Sequence, residues 1–136
     1  METHREKAER FSSRVIAAAI EVHRHLGPGL LESIYEKCLA RELTLAGLTF
    51  KTQIPASIEY KGVVLDETLR VDFLVEDCIV IELKSVQEII PIFKAQTLSY
   101  MKLLSAPVGL LMNFNSLRLV DGLHRLVLKD STFTAG

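Results

Sequence analysis

Arg70-Val71-Asp72-Phe73-Leu74-Val75-Glu76-Asp77-Cys78-Ile79-Val80-Ile81-Glu82-Leu83-Lys84 is the stretch on which the fold turns. Two apolar runs flank Glu76-Asp77 and read as the arms of a β-hairpin. Side chains alternate across a strand, so the apolar pattern selects the register. With Val75 paired to Ile79 across a three-residue loop, Val71, Phe73 and Val75 share a face with Ile79, Ile81 and Leu83, and Asp72 faces Glu82. A two-residue loop would set Asp72 against Ile81 and scramble that division. The longer loop gathers Asp72, Glu82 and Lys84 on the opposite face, where facing side chains are close enough to share a ligand.

Two facing carboxylates repel unless a proton or cation lies between them, and hard oxygen donors suit magnesium (Mg2+) or manganese (Mn2+). Lys84 would then position or activate a water, or stabilise charge on a phosphate. The plainer alternative is a surface hairpin whose charges merely pair with one another and contribute little. Spacing alone does not separate the two, because Glu-x-Lys with an upstream Asp is a common pattern.

On the N-terminal side of the hairpin, β-branched and aromatic residues in 49–53, 57–60, 63–65 and 69–75 predict three or four successive strands, with turns near Pro55 and at Lys61-Gly62. Before them, apolar Phe11, Val15, Ala18, Ala19 and Val22 recur at helical spacing between Arg5 and Leu26. Gly27-Pro28-Gly29 breaks that helix and a second begins, with Leu30, Leu31, Ile34, Tyr35, Cys38, Leu39 and Leu43 as its buried stripe and Gly47 at its C-terminal end. After the hairpin, 91–104 reads as a helix with Pro91 in its first turn, 108–114 as a buried strand and 123–128 as a final strand. A strand, helix, strand succession predicts that 79–84 and 108–114 run parallel in one sheet. The expected fold class is α/β, a mixed sheet flanked by helices in the order α-α-β-β-β-β-α-β-β, in a single domain over 1–136 with its core at about 14–128 and frayed ends at 1–4 and 131–136.

At 49% hydrophobic and 24% charged residues, the chain has the balance of a globular domain rather than a disordered one. A net charge of −1 is not the footprint of a protein that grips phosphates over a wide surface, yet it leaves room for a metal that handles one phosphate. The apolar runs are too short to cross a bilayer and the N-terminal stretch lacks a signal-peptide core, so a cytoplasmic setting without membrane contact is expected. Cys38 and Cys78 form no CxxC pair and read as reduced, packed thiols.

Other candidates are weaker. Gln96 and Tyr100 are four apart on the predicted third helix and project from one face toward a substrate, or else form an ordinary half-exposed helix face. Glu32, in the first turn of the second helix, suits the positive helix end, and becomes a metal ligand if that end abuts the hairpin. Arg70, two residues before Asp72, is a candidate phosphate contact or a partner for a carboxylate. His23 and His25 point to different faces and read as surface residues. Cys38 has no activating base close in sequence, and no phosphate-cradling glycine loop is present.

Gly29-Leu30-Leu31-Glu32-Ser33-Ile34-Tyr35, preceded by Gly27-Pro28, resembles the signature of the GxxExxY family, whose members carry a PD-(D/E)XK nuclease fold. Arg70-Val71-Asp72 resembles that family's Arg-x-Asp strand, Ile81-Glu82-Leu83-Lys84 its Glu-Leu-Lys strand, Gln96 with Tyr100 its Gln-x-x-x-Tyr helix, and Asn113-Phe114-Asn115 its closing asparagine-rich segment. The resemblance spans roughly 14–128 and departs where relatives carry a histidine shortly before the Gln, since this chain reads Ile92-Phe93-Lys94-Ala95. It implies that Asp72 and Glu82 bind the metal with Glu32 as a helix-borne carboxylate, that Lys84 serves catalysis, and that Gln96 and Tyr100 support the site.

The expected function is therefore a divalent-metal-dependent nuclease hydrolysing phosphodiester bonds of DNA or RNA. The alternatives are a non-catalytic nuclease-fold module that binds nucleic acid or a protein partner, and a structural subunit that forms a homo-oligomer through apolar helix faces.

Overall fold

The computed structural model describes residues 1–129. Helix α1, His4–Leu26, starts where the Thr3 hydroxyl accepts the Glu6 N–H at 3.0 Å, a side-chain cap on a helix end that would otherwise leave donors unpaired. Residue 4 is thus helical rather than frayed, and the expected C-terminal fray at 131–136 lies outside the described residues. Helix α2 is Glu32–Leu45, and Gly47, at φ 74°, takes the left-handed conformation that lets Leu48 N–H reach back to the Leu43 carbonyl. Leu30 and Leu31 precede this helix. Leu31 is exposed and Ile34 partly so, which leaves Tyr35, Leu39 and Leu43 as the buried stripe.

Strands β1 (Phe50–Tyr60), β2 (Val63–Val75) and β3 (Ile79–Lys84) follow, then α3 (Pro91–Leu104), β4 (Val108–Asn113) and β5 (Leu123–Val127). The sheet runs β1-β2-β3-β4-β5, antiparallel except for the parallel β3–β4 pair that α3 connects. The α/β architecture with flanking helices is the expected one. The short runs read separately before the hairpin join into two long strands, because Pro55 does not interrupt β1. On an edge strand an N–H can be lost toward the open side without breaking a ladder bond.

Helices α1 and α2 cover one face of the sheet, burying Phe11, Val15, Tyr35 and Leu39 with Phe73, Ile79, Ile81 and Leu110. Ala8 also lies in this core, which therefore reaches back into the first turns of α1. A smaller cluster on the other face joins Val71, Leu74 and Val80 to Met101 of α3. His23, expected at the surface, is instead buried, its Nε2 2.8 Å from the Ser116 carbonyl and its ring beside Phe114.

Candidate active site

The β2–β3 register is Val75 to Ile79, Leu74 to Val80 and Phe73 to Ile81, across the three-residue loop expected from the apolar pattern. Glu76 and Asp77 adopt positive φ there, and Cys78 N–H returns to the Val75 carbonyl at 3.0 Å. Continuing that register sets Asp72 opposite Glu82.

One part of the expected face division is corrected. Val71 packs with Leu74 and Val80 rather than with Phe73, because β2 is bulged here. Lys51 pairs with Leu74 and Gln53 with Arg70, so two steps along β1 span four along β2. The surplus residues twist the strand and re-aim their side chains.

At Asp72 and Glu82 the strands part, and side chains take over the backbone bonds. Asp72 Oδ2 accepts the Leu83 N–H at 2.7 Å, while the Asp72 N–H points to Glu82 Oε1 at 3.4 Å, a long contact. Glu82 is only 7% exposed. Burial first, then the neighbouring Asp72 charge and a hydrogen bond between the two side chains, push its carboxyl up to about 8, while Lys84 pulls the other way. Burial beside a second carboxylate favours the protonated form of Glu82 unless a cation replaces its proton. The donor set suits a hard divalent ion in kind, since a cation can take the place of the proton that links Asp72 and Glu82.

Lys84 lies past Glu82 on the same strand face, its Nζ 4.5 Å from the centre of the Phe93 ring on α3. Glu32 stands at the start of α2, where burial raises its carboxyl, Lys84 lowers it, and Asp72 and Glu36 raise it further. Glu36, one turn along, is raised by burial and by Asp72. Sequence reasoning passed over Glu36, although its spacing of four from Glu32 puts both on one helix face. Among the described residues no three His, Cys, Asp or Glu side chains are grouped as a ready metal cage, so Glu32 does not close on Asp72 and Glu82 as a third ligand in this arrangement.

Arg70 is exposed and borders a polar depression of about 260 Å³ shared with Glu36, Thr52, Gln53 and Asp72. Gln96 Nε2 donates to Tyr100 Oη at 3.3 Å on α3, and no hydrogen bond among the described residues joins this pair to Asp72, Glu82 or Lys84.

The residues around the carboxylates are firmly held. Tyr35 Oη donates to the Gly27 carbonyl at 2.6 Å and accepts the Leu30 N–H at 3.1 Å, which fastens the loop leading to Glu32, and its ring stacks on Phe114. Ser85 Oγ ties the end of β3 to the Leu30 carbonyl at 2.6 Å. Buried Asn113, level with Lys84 across the parallel pair, accepts the Val86 N–H and donates to the Val86 carbonyl, clamping the chain just beyond the lysine.

The crystal structure of SSO0001 shares this fold, with a TM-score of 0.59 and 21% identity over 95% of this chain. The chain spans 66% of that neighbour's length. No curated protein matches the chain. The family model of the PD-(D/E)XK nuclease superfamily matches residues 9–126, nearly the whole of the described fold including the split hairpin, and the chain belongs to that superfamily.

Proposed function

We propose that this chain is a divalent-metal-dependent phosphodiesterase acting on DNA or RNA, with Asp72 and Glu82 as the carboxylate ligands of magnesium or manganese. Membership of the superfamily indicates a nuclease-type function, and PD-(D/E)XK nucleases generally use divalent metals. The observation that carries the reading is buried Glu82 held beside Asp72, an arrangement whose charge calls for a cation.

A hard divalent ion supplies a Lewis acid for a phosphoryl oxygen. The protein's own groups do the rest. The Leu83 N–H bond holds Asp72 in orientation. Lys84, kept over the Phe93 ring, assists the attacking water or steadies charge on the phosphate. Arg70 meets a phosphate oxygen at the rim of the depression, Gln96 and Tyr100 support the substrate, and Glu32 acts as the helix-borne carboxylate. Membership of the GxxExxY group belongs to the same reading, supported by the way Tyr35 fastens the loop in front of Glu32.

Labelled DNA and RNA, single- and double-stranded, incubated with magnesium or manganese test it. Wild type is expected to cleave at least one substrate class and Asp72→Asn none, because Asn keeps an oxygen for the Leu83 N–H while removing the charge. Cleavage retained by Asp72→Asn would remove the mechanism. Among the described residues no three carboxylates are grouped, and this favours one second reading, a nuclease-fold module that binds without turnover. Binding by wild type with no cleavage under any metal would select it.

A further inference from the structure

The far half of the β1–β2 hairpin takes no part in that chemistry. From Pro55 to Thr68 every residue is exposed apart from half-buried Ala56 and Ile58. The six residue steps from Ile54 to Tyr60 carry this arm about 20 Å outward. Its register sets Ala56 opposite Glu67, Ile58 opposite Leu65 and Tyr60 opposite Val63. Opposed residues in an antiparallel pair project from one face, and alternate pairs share that face. One side of the arm is therefore apolar with Glu67 as its single charge, while Ser57, Asp66, Glu59 and Val64 fill the other. Tyr60, Val63 and Leu65 remain 62%, 56% and 42% exposed, a contiguous apolar surface of the kind that marks an interaction site.

The same chain carries a surface of matching character. Helix α3 contains no acidic residue, and of its two lysines Lys102 borders the exposed side described next, while Lys94 lies toward His124 of β5. Ile92, Ala95, Ser99 and Leu103 recur at helical spacing on its exposed side, with Ile92 63% and Leu103 41% exposed. The base of the arm and α3 lie on one side of the sheet, where Ile54, Leu98 and Tyr100 pack against the same cluster around Val71 and Met101. Pairing along the open edge of β1 is hindered, because Pro55 supplies no N–H at mid-strand, and this favours docking by the face.

We propose that the chain forms a two-fold dimer in which the arm of each copy lays its apolar face across α3 of the other, with Glu67 meeting Lys102 at the border of that helix face. A second copy is the occupant because each molecule carries both surfaces with complementary charge, so one contact is made twice and the assembly closes. The arm of one copy then runs beside exposed Gln96 and half-buried Tyr100 of the other and adds a wall to its candidate site.

Sedimentation velocity over a range of protein concentrations tests this, with circular dichroism as a check that each variant folds. Wild type is expected to sediment as a dimer, Leu65→Asp as a monomer, and Val64→Asp, altered on the opposite face, as a dimer. Glu67→Lys is expected to weaken the dimer about tenfold, and Lys102→Glu in the same chain to restore it. A wild type that stays monomeric, a dimer indifferent to Leu65→Asp, equal loss with Val64→Asp, or no recovery on charge exchange would each overturn the proposal. Manganese binding at Asp72 and Glu82 is unaffected by the arm variants, so this inference and the proposed function fail separately.

Discussion

The two halves of β2 live in different surroundings. From Phe73 to Val75 the strand pairs with β3, Leu74 and Val75 pair with β1 as well, and the side chains are buried. From Val63 to Thr68 it pairs with β1 alone and stays exposed on both faces. The candidate site lies at the boundary, where β2 bulges and leaves β3. Strands that part leave backbone donors without ladder partners, and here carboxylates supply acceptors: Asp72 for Leu83 N–H, and at longer range Glu82 for Asp72 N–H. Each carboxylate thereby gains an anchor. A position of imperfect β-structure thus becomes a place where charged groups are both buried and aimed.

That contrast breaks most visibly when the buried half is truncated. Phe73 is 1% exposed and packs edge-on against Phe50 at 5.1 Å, so Phe73→Ala is expected to cost about 3–5 kcal/mol in urea unfolding. A loss below about 1 kcal/mol would mean that the inner hairpin is far more yielding than its burial implies.

A smaller effect comes from the charge at the boundary. Glu82 binds its proton more tightly in the folded chain, where its carboxyl stands at about 8, than at its ordinary 4.5. The stability it contributes in metal-free protein is therefore full below 4.5 and is lost as pH rises through about 8. Glu82→Gln is expected to flatten that slope and to raise stability above the upper value by roughly 1–3 kcal/mol, read as thermal midpoints in chelator. Identical pH profiles for wild type and Glu82→Gln would show that the carboxyl is not perturbed by its surroundings.

The outer half sets the lower end of the scale. Val64 is 62% exposed, and Val64→Thr is expected to change stability by no more than about 0.5 kcal/mol. A larger loss would show that the arm contributes to the fold rather than projecting from it.

The inner hairpin was legible in the sequence because alternation and loop length constrain each other. Only the three-residue loop divides polar from apolar side chains, and that register is the one found. The span 91–104 of α3 was equally readable, since proline opens it and the apolar spacing is helical. The bulge was not readable. It depends on how β1 meets β2, a pairing between distant residues, and so Val71 was set on the wrong face. The arm was hidden for a related reason: Ile58, Tyr60, Val63 and Leu65 have the composition of a buried strand, and nothing local reports that no helix covers them. His23 follows the same rule, since the Ser116 carbonyl that meets it lies 93 residues away. Of the site, Asp72, Glu82 and Lys84 were legible as a facing set. The burial of Glu82, the nearness of Glu36 and the clamp at Asn113 depend on tertiary packing.

The most direct test of the central claim is calorimetric titration of manganese into wild type, Asp72→Asn and Glu82→Gln, each confirmed as folded. The account predicts saturable binding in wild type that strengthens as pH rises toward about 8, as the ion competes with the Glu82 proton, and no binding in either variant. Folded wild type that takes up no manganese even with nucleic acid present, or variants that bind as wild type does, would contradict it.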